Sequence, residues 1–194
     1  MDIAAPLKPS LWPARPLAFD ARGLALILLR LPTKTPRTTA RTLSRQVLCE
    51  ALGGLLAQPA AAVRLAESPQ GPQLDDPARD IRIGLSHAGA YVLIGLAENR
   101  KLGVDIVRID NFPELEATAR LYLPEAARRA LLAAPAAARA SRFASGWARM
   151  EAGSKCLGLP LTEMNPERER ALRSCRFVEC RQIGGYRMAV ALSG

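Results

Sequence analysis

The chain has 194 residues, 49% of them hydrophobic and 5% aromatic, with a net charge of +9 and a pI near 10.1. That length fits one good-sized domain or two small lobes, and the apolar content excludes a disordered chain. The charge favours an anionic partner (nucleic acid, a phosphorylated cofactor, an acidic protein or a lipid surface), while the low aromatic content argues against a protein that stacks single-stranded bases.

Residues 1–20 carry prolines at positions 6, 9, 13 and 16 and are read as irregular, with no signal peptide expected. The apolar run Gly23-Leu-Ala-Leu-Ile-Leu-Leu29 is far too short to span a bilayer and predicts a buried strand at about 23–31. A loop from Pro32 to Pro36 follows. A helix is expected over about 38–57, with Leu43, Val47, Leu48, Leu52, Leu55 and Leu56 as its apolar face and Pro59 as its stop. Residues 67–80, with three prolines and a glycine, read as a loop. Ile81–Leu85 alternates like a strand, Ser86-His87-Ala88-Gly89 reads as a turn, and Ala90–Ala97 and Gly103–Ile109 read as two more strands. Residues 114–133 look helical with a break at Pro124, and a helix carrying Phe143–Lys155 ends near Gly158-Leu159-Pro160. Two strand-like runs between Cys175 and Leu192 flank Gly184-Gly185, a hairpin signal. The order predicts an α+β fold. Two comparable halves meet near residue 100, and both a pair of pseudo-symmetric lobes and one compact domain fit that order.

The four cysteines, Cys49, Cys156, Cys175 and Cys180, match no zinc spacing, and the chain has a single histidine. They read as reduced, buried or half-buried thiols of a cytosolic protein. Phe143, Trp147, Glu151 and Lys155 stand four apart, so a helix carries them on one slowly drifting stripe. Glu151 and Lys155 alone fit a surface salt pair worth about 0.2–0.5 kcal/mol; the two aromatics pull the same stripe toward the core. Asp105 is an isolated acid in an apolar strand, which fits either a hydrogen-bonded structural aspartate or a cation ligand. Arg37, Arg41 and Arg45 also step by four, as a solvated helix face or as a grip for phosphate oxygens. His87 fits a turn without a role or, with turn N–H groups, another phosphate contact.

In this order, Arg41-Thr-Leu, Ile83-Gly-Leu-Ser86-His87-Ala-Gly89, Gly103-Val-Asp105-Ile and Trp147-Ala-Arg-Met-Glu151-Ala-Gly-Ser-Lys155 resemble the 4′-phosphopantetheinyl transferases that activate surfactin and enterobactin synthetases. The resemblance covers about residues 40–160 and implies that family's fold: two pseudo-symmetric α/β lobes in one chain, here 1–100 on the side of the coenzyme A 3′-phosphate and 101–194 with the magnesium and the catalytic helix. It implies transfer of the phosphopantetheine arm of coenzyme A to a serine of an apo acyl or peptidyl carrier protein, leaving 3′,5′-ADP. Magnesium would sit on Asp105 and Glu151. Glu151 would accept the serine proton, and Lys155 would neutralise the pyrophosphate and assist the leaving group. Ser86, His87 and Arg41 would bind coenzyme A, with Arg37 and Arg45 as weaker candidates. Acidic carriers suit a chain of charge +9, and by analogy they would contact Phe112–Leu123. The expected enzyme is a cytoplasmic monomer that binds neither nucleic acid nor membrane.

Three positions depart from the family pattern. Val107 stands where a second strand acid is common, Met150 where a lysine usually precedes the helix glutamate, and Gln70-Gly71-Pro72 lacks the basic residue before its proline. Arg149 is a candidate replacement for the missing lysine. The departures leave room for a non-catalytic coenzyme A-binding homologue; the charge and the arginine stripe alone also fit a basic nucleic-acid-binding protein, though no recognised nucleic-acid motif is present.

Overall fold

Apolar residues on both faces of a strand call for a cover on each side, and the computed structural model, which describes residues 7–13, 17–32, 34–76, 78–178, 180 and 182–193, supplies both. In the first half, β1 (Ser10–Leu11), β2 (Leu24–Arg30), α1 (Arg37–Leu55), β3 (Leu65–Ser68), β4 (Gly71–Leu74), β5 (Ile81–Ala88) and β6 (Tyr91–Glu98) follow in order. β1, β2, β6 and β5 form one sheet in that spatial order, antiparallel except for the β1–β2 pair. Strand alternation sends Ala25, Ile27 and Leu29 toward Val47, Leu48 and Leu52 of α1. Leu24, Leu26 and Leu28 face the opposite way.

The second half runs β7 (Lys101–Arg108), α2 (Leu115–Tyr122), α3 (Glu125–Leu132), α4 (Ala136–Leu157), α5 (Pro166–Leu172), β8 (Arg176–Val178) and β9 (Tyr186–Ser193). Its sheet has the order β7-β9-β8, all antiparallel. Leu102, Val104 and Ile106 of β7 and Met188, Val190 and Leu192 of β9 pack against Leu24, Leu26, Leu28 and Leu93, so the two halves share one core. On the other face Val107, Ala189 and Ala191 meet Ala148, Ala152 and Cys156 of α4. The layers are therefore α1, first sheet, second sheet, α4. Both halves run strand, helix, hairpin, and in both sheets the last strand of the hairpin is central, as β2-β6-β5 and β7-β9-β8.

The mixed α and β content agrees with the sequence, and α1, the break at Pro124, the end of α4 at Gly158 (φ 68°) and the final hairpin lie where expected. Four readings change. Residues 67–80 are not a plain loop, because Leu65–Ser68 and Gly71–Leu74 pair as a hairpin; Pro72 is tolerated in a free-standing two-stranded ribbon, where a missing N–H need not break a ladder. Ser86 and His87 lie inside β5 rather than in a turn, opposite Leu93 and Val92 of β6. Residues 10–11 form a short strand beside β2. α5 was not expected at all; Asn165 caps it by accepting a hydrogen bond from the Arg168 N–H at 2.8 Å, with Pro166 in its first turn. Parts of the irregular reading of residues 1–20 and of the Pro32–Pro36 loop, namely 1–6, 14–16 and 33, lie outside the described residues.

α4 lies unusually close to β7. A Cβ at Gly103 would run into the carbonyl oxygen of Ala152 and lie 2.5 Å from the Cys156 nitrogen. Both are backbone atoms of a packed helix and have no rotamer to yield. Gly103→Val is expected to cost about 3 kcal/mol or more, at the upper end of overpacking penalties, read as a lower urea midpoint. A midpoint equal to wild type would contradict this packing.

Candidate functional site

Two sheet edges and one helix build the site. β5 ends the first sheet and β7 the second. An edge strand has backbone N–H groups without a ladder partner, and the Ile106 N–H donates to Ser86 Oγ at 3.2 Å. Ser86 Oγ in turn donates to Asp105 Oδ1 at 2.6 Å. Asp105 is 5% exposed and shares the face of Gly103 and Val107, toward α4. Lys155 reaches across from the last turn of α4, placing Nζ 2.7 Å from the same Oδ1.

The aromatic stripe holds α4 in place. Phe143 is buried and stacks on Trp147 with centroids 5.5 Å apart. Phe112 meets Phe143 edge-on at 5.3 Å, and Tyr122 lies 5.7 Å from Trp147. One and two turns on, Glu151 and Lys155 emerge beside β7. The Glu151–Lys155 separation is 4.0 Å, so Lys155 is committed to Asp105 rather than to the helical salt pair that its spacing suggested.

Burial pushes the Asp105 carboxyl up, against the opposing pull of Lys155, Ser86 and the Ile106 N–H. Glu151 is also raised, first by burial and then by the charge of Asp105, while Lys155 and Arg168 pull it down. Two neighbouring carboxylates that resist ionising together gain from a cation between them. Their donors are oxygens only, which suits a hard divalent ion that keeps several waters and takes one or two protein carboxylates. No group of three His, Cys, Asp or Glu side chains is placed to hold a metal among the described residues. Val107 lines the same cavity, on the face of Asp105 where a further acid would stand.

The cavity holding Asp105, Glu151 and Lys155 has a volume of about 480 Å³ and includes His87 and Trp147 in its walls. It shares Ser86 and His87 with a larger one of about 900 Å³, walled by Arg37, Arg41, Arg45 and the β3–β4 turn. Alternation along β5 explains the join: Ser86 faces Asp105, while His87 shares the side of Leu85, toward α1. A third cavity, of about 610 Å³, shares Lys155 with the first and Ser68, Gln70, Gly71 and Pro72 with the second, and adds Lys101 and Gly158. Of the arginines, Arg45 is paired with Glu67 and donates to the Leu65 carbonyl at 3.0 Å; Arg37 and Arg41 stand exposed in the wall.

Two sequence expectations change here. Met150 is 1% exposed and packs against Ser154 on the flank of α4 away from Glu151. Arg149 lies on that flank too, stacked 4.2 Å over the Phe177 ring, so it does not replace a lysine in the groove. The Phe112–Leu123 segment is mixed, as its pattern allowed: Leu115 is buried and Leu121 is 47% exposed. Cys49 is half-buried and Cys156, Cys175 and Cys180 are buried, and burial first of all pushes the Cys156 thiol up to about 12. Sequence reasoning missed Arg168 and Ser154, both buried and bonded at 2.7 Å.

Residues 101–187 match the family model of the 4′-phosphopantetheinyl transferase superfamily. The match covers 87 of the 194 residues, and over that stretch the chain is similar to the superfamily. It contains Asp105, Glu151 and Lys155, while Ser86, His87 and the α1 arginines precede it. No curated protein matches the chain.

Because the native fold raises Asp105, it favours the neutral carboxyl over the carboxylate. The fold then binds more protons than the unfolded chain between the ordinary value of 3.8 and the raised one, and stability from this group falls as pH rises through that window. Asp105→Asn, which mimics the neutral acid, is expected to raise the thermal midpoint at neutral pH, with the gain shrinking as pH falls toward 3.8. A midpoint below wild type at neutral pH would contradict the balance of burial over pairing.

Proposed function

We propose that the protein transfers 4′-phosphopantetheine from coenzyme A to a serine of an apo acyl or peptidyl carrier protein, as the surfactin- and enterobactin-type enzymes do. The observation that carries this reading is three adjoining cavities: one walled by the α1 arginines, one by two carboxylates and a lysine, and a third past Lys155 that also borders the first at the β3–β4 turn. A long substrate with a phosphate at one end, a pyrophosphate in its middle and a neutral arm fits that sequence of walls. Arg41 and His87 hold the 3′-phosphate, with Ser86 beside them; Arg37 adds charge, and Arg45 contributes least because Glu67 already engages it. The pantetheine arm lies toward Lys101 and Gly158.

Asp105 and Glu151 would hold a magnesium ion, which would neutralise charge at the pyrophosphate. Glu151 takes the proton of the carrier serine, directly or through water, and its raised pKa suits a base that must also release that proton. The serine oxygen bonds to the phosphorus nearer the pantetheine, the bond from that same phosphorus to the bridging oxygen breaks, and 3′,5′-ADP leaves with the electron pair on that oxygen. Lys155 offsets the charge that develops on this leaving group. Asp105 holds Nζ in place for that task.

The repeated order of the two halves supports reading them as pseudo-symmetric lobes with the groove at their junction, so one chain works as a monomer. The free thiols of Cys49, Cys156 and Cys175 suit the cytoplasm, and no helix among the described residues is long and apolar enough to cross a membrane. Exposed Leu121, near Arg120 and in a chain of charge +9, supports docking of an acidic carrier on the α2 segment.

The test is intact mass. Apo carriers of fatty-acid, polyketide and peptide-synthetase type, incubated with coenzyme A and magnesium, are expected to gain one phosphopantetheine. Glu151→Gln should lower turnover about 10²–10⁴-fold while coenzyme A still binds. Arg41→Ala should raise the KM for coenzyme A about tenfold or more. Folded protein that binds coenzyme A and modifies none of the carriers would replace the enzyme by a non-catalytic homologue. Tight nucleic-acid binding with a steep salt slope, and none for coenzyme A, would overturn the reading altogether.

A further inference from the structure

We propose that Arg168, from outside the groove, is a positioning residue that clamps the last turn of α4 and so sets Lys155 and Glu151 against Asp105. This inference rests on the reading of that cluster as the transfer site.

Five polar or charged side chains are buried among the described residues: Ser44, Ser86, Asp105, Ser154 and Arg168. Ser44 bonds back into its own helix. The other four form two bonded pairs, Ser86 with Asp105 and Ser154 with Arg168. The first pair is in the site. The second is anchored at Ser154, the residue before Lys155.

A helix's last turn has carbonyls without intrahelical partners and frays unless something ties it down. Lys155 lies in that turn of α4, which ends at Leu157. Ser154 is tied three ways. Its carbonyl accepts from the Leu159 N–H at 2.8 Å, its hydroxyl donates to the Met150 carbonyl at 2.7 Å, and the same hydroxyl accepts from Arg168 Nη2 at 2.7 Å. Arg168 Nη1 donates to the Pro160 carbonyl at 2.6 Å and to Thr162 Oγ1 at 3.2 Å. One guanidinium thus joins the end of α4 to the chain that leaves it, and the Asn165 cap fixes its own backbone.

The choice of residue is otherwise hard to account for. Arg168 is 7% exposed, and no carboxylate lies within ion-pair distance of it among the described residues. Burying a charge that only Glu151 offsets, from beyond ion-pair distance, is costly. What arginine gains there is its planar fork, which reaches three acceptors on two segments; a lysine ammonium cannot span them in one plane. Rate depends steeply on placement, since a displacement of about 1 Å can cost about 10²-fold.

The test compares Arg168→Met, Arg168→Lys and Ser154→Ala in the full chain, assayed well below each thermal midpoint. Arg168→Met is expected to lower kcat about 10–100-fold, with the KM for coenzyme A near wild type because Arg41 and His87 hold its far end. Arg168→Lys, which keeps the charge and loses the fork, should stay close to the methionine variant. Ser154→Ala should lower kcat less, and adding it to Arg168→Met should lower kcat no further. Hydrogen exchange of Arg168→Met should quicken at 151–164 and stay as in wild type across β2, β6 and β9. A kcat equal to wild type in folded Arg168→Met, full recovery with lysine, or exchange quickened everywhere alike would overturn the clamp. Should Arg168→Met fail to fold, an unchanged kcat in Ser154→Ala overturns it. A wild-type protein that modifies no carrier sinks the transfer reading instead, and the local exchange then decides the clamp by itself.

Discussion

A carboxylate buried between two strands and a helix has to be hydrogen-bonded, and Asp105 Oδ1 accepts twice. Ser86 donates to it from the other sheet edge and Lys155 from α4, while the Ile106 N–H beside it donates to the Ser86 hydroxyl. Each bond also joins two layers of the fold. Ser86 closes the gap between β5 and β7 that no ladder spans, and Lys155 ties the end of α4 to β7. Gly103 lets the helix come close enough for that reach. Structure and chemistry meet at one side chain that burial leaves reluctant to ionise.

From this point the groove extends both ways. The period of two in β5 assigns neighbouring residues to different tasks, with Ser86 toward the carboxylates and His87 toward the α1 arginines. The period of four in α4 does the opposite and keeps Phe143, Trp147, Glu151 and Lys155 on one side, the aromatics packed and the charges delivered to the strand. The charge of +9 is therefore not spread without pattern. Arg37 and Arg41 stand free in the groove wall, Arg149 is stacked on Phe177, and Arg168 is buried as a brace.

Much of this was legible in the sequence. Alternation and apolar runs located β2, β5, β6, β7 and the closing hairpin, and the proline and glycine stops located the ends of α1 and α4. Asp105 stood out as an acid in an apolar strand. What did not show was set by contacts distant in sequence. Ser86 and His87 resembled a turn because Gly89 follows, yet pairing with β6 carries the strand through them. The β3–β4 ribbon was hidden by prolines that a two-stranded ribbon tolerates. No apolar run marks Pro166-Glu-Arg-Glu-Arg170, and the helix there, capped by Asn165 with one arginine turned inward, went unread. Met150 and Arg149 looked like neighbours of the site by number, although a helix places them on its other flank.

In the proposed function Asp105 and Glu151 would together hold a divalent ion in a coenzyme A groove. Crystals soaked with manganese and coenzyme A, measured for anomalous scattering, test it most directly. The account predicts one manganese peak within bonding distance of both carboxylates and of the pyrophosphate, with the 3′-phosphate beside Arg41 and His87. Coenzyme A bound in the groove with no manganese at Asp105 and Glu151, or manganese held elsewhere, would contradict it.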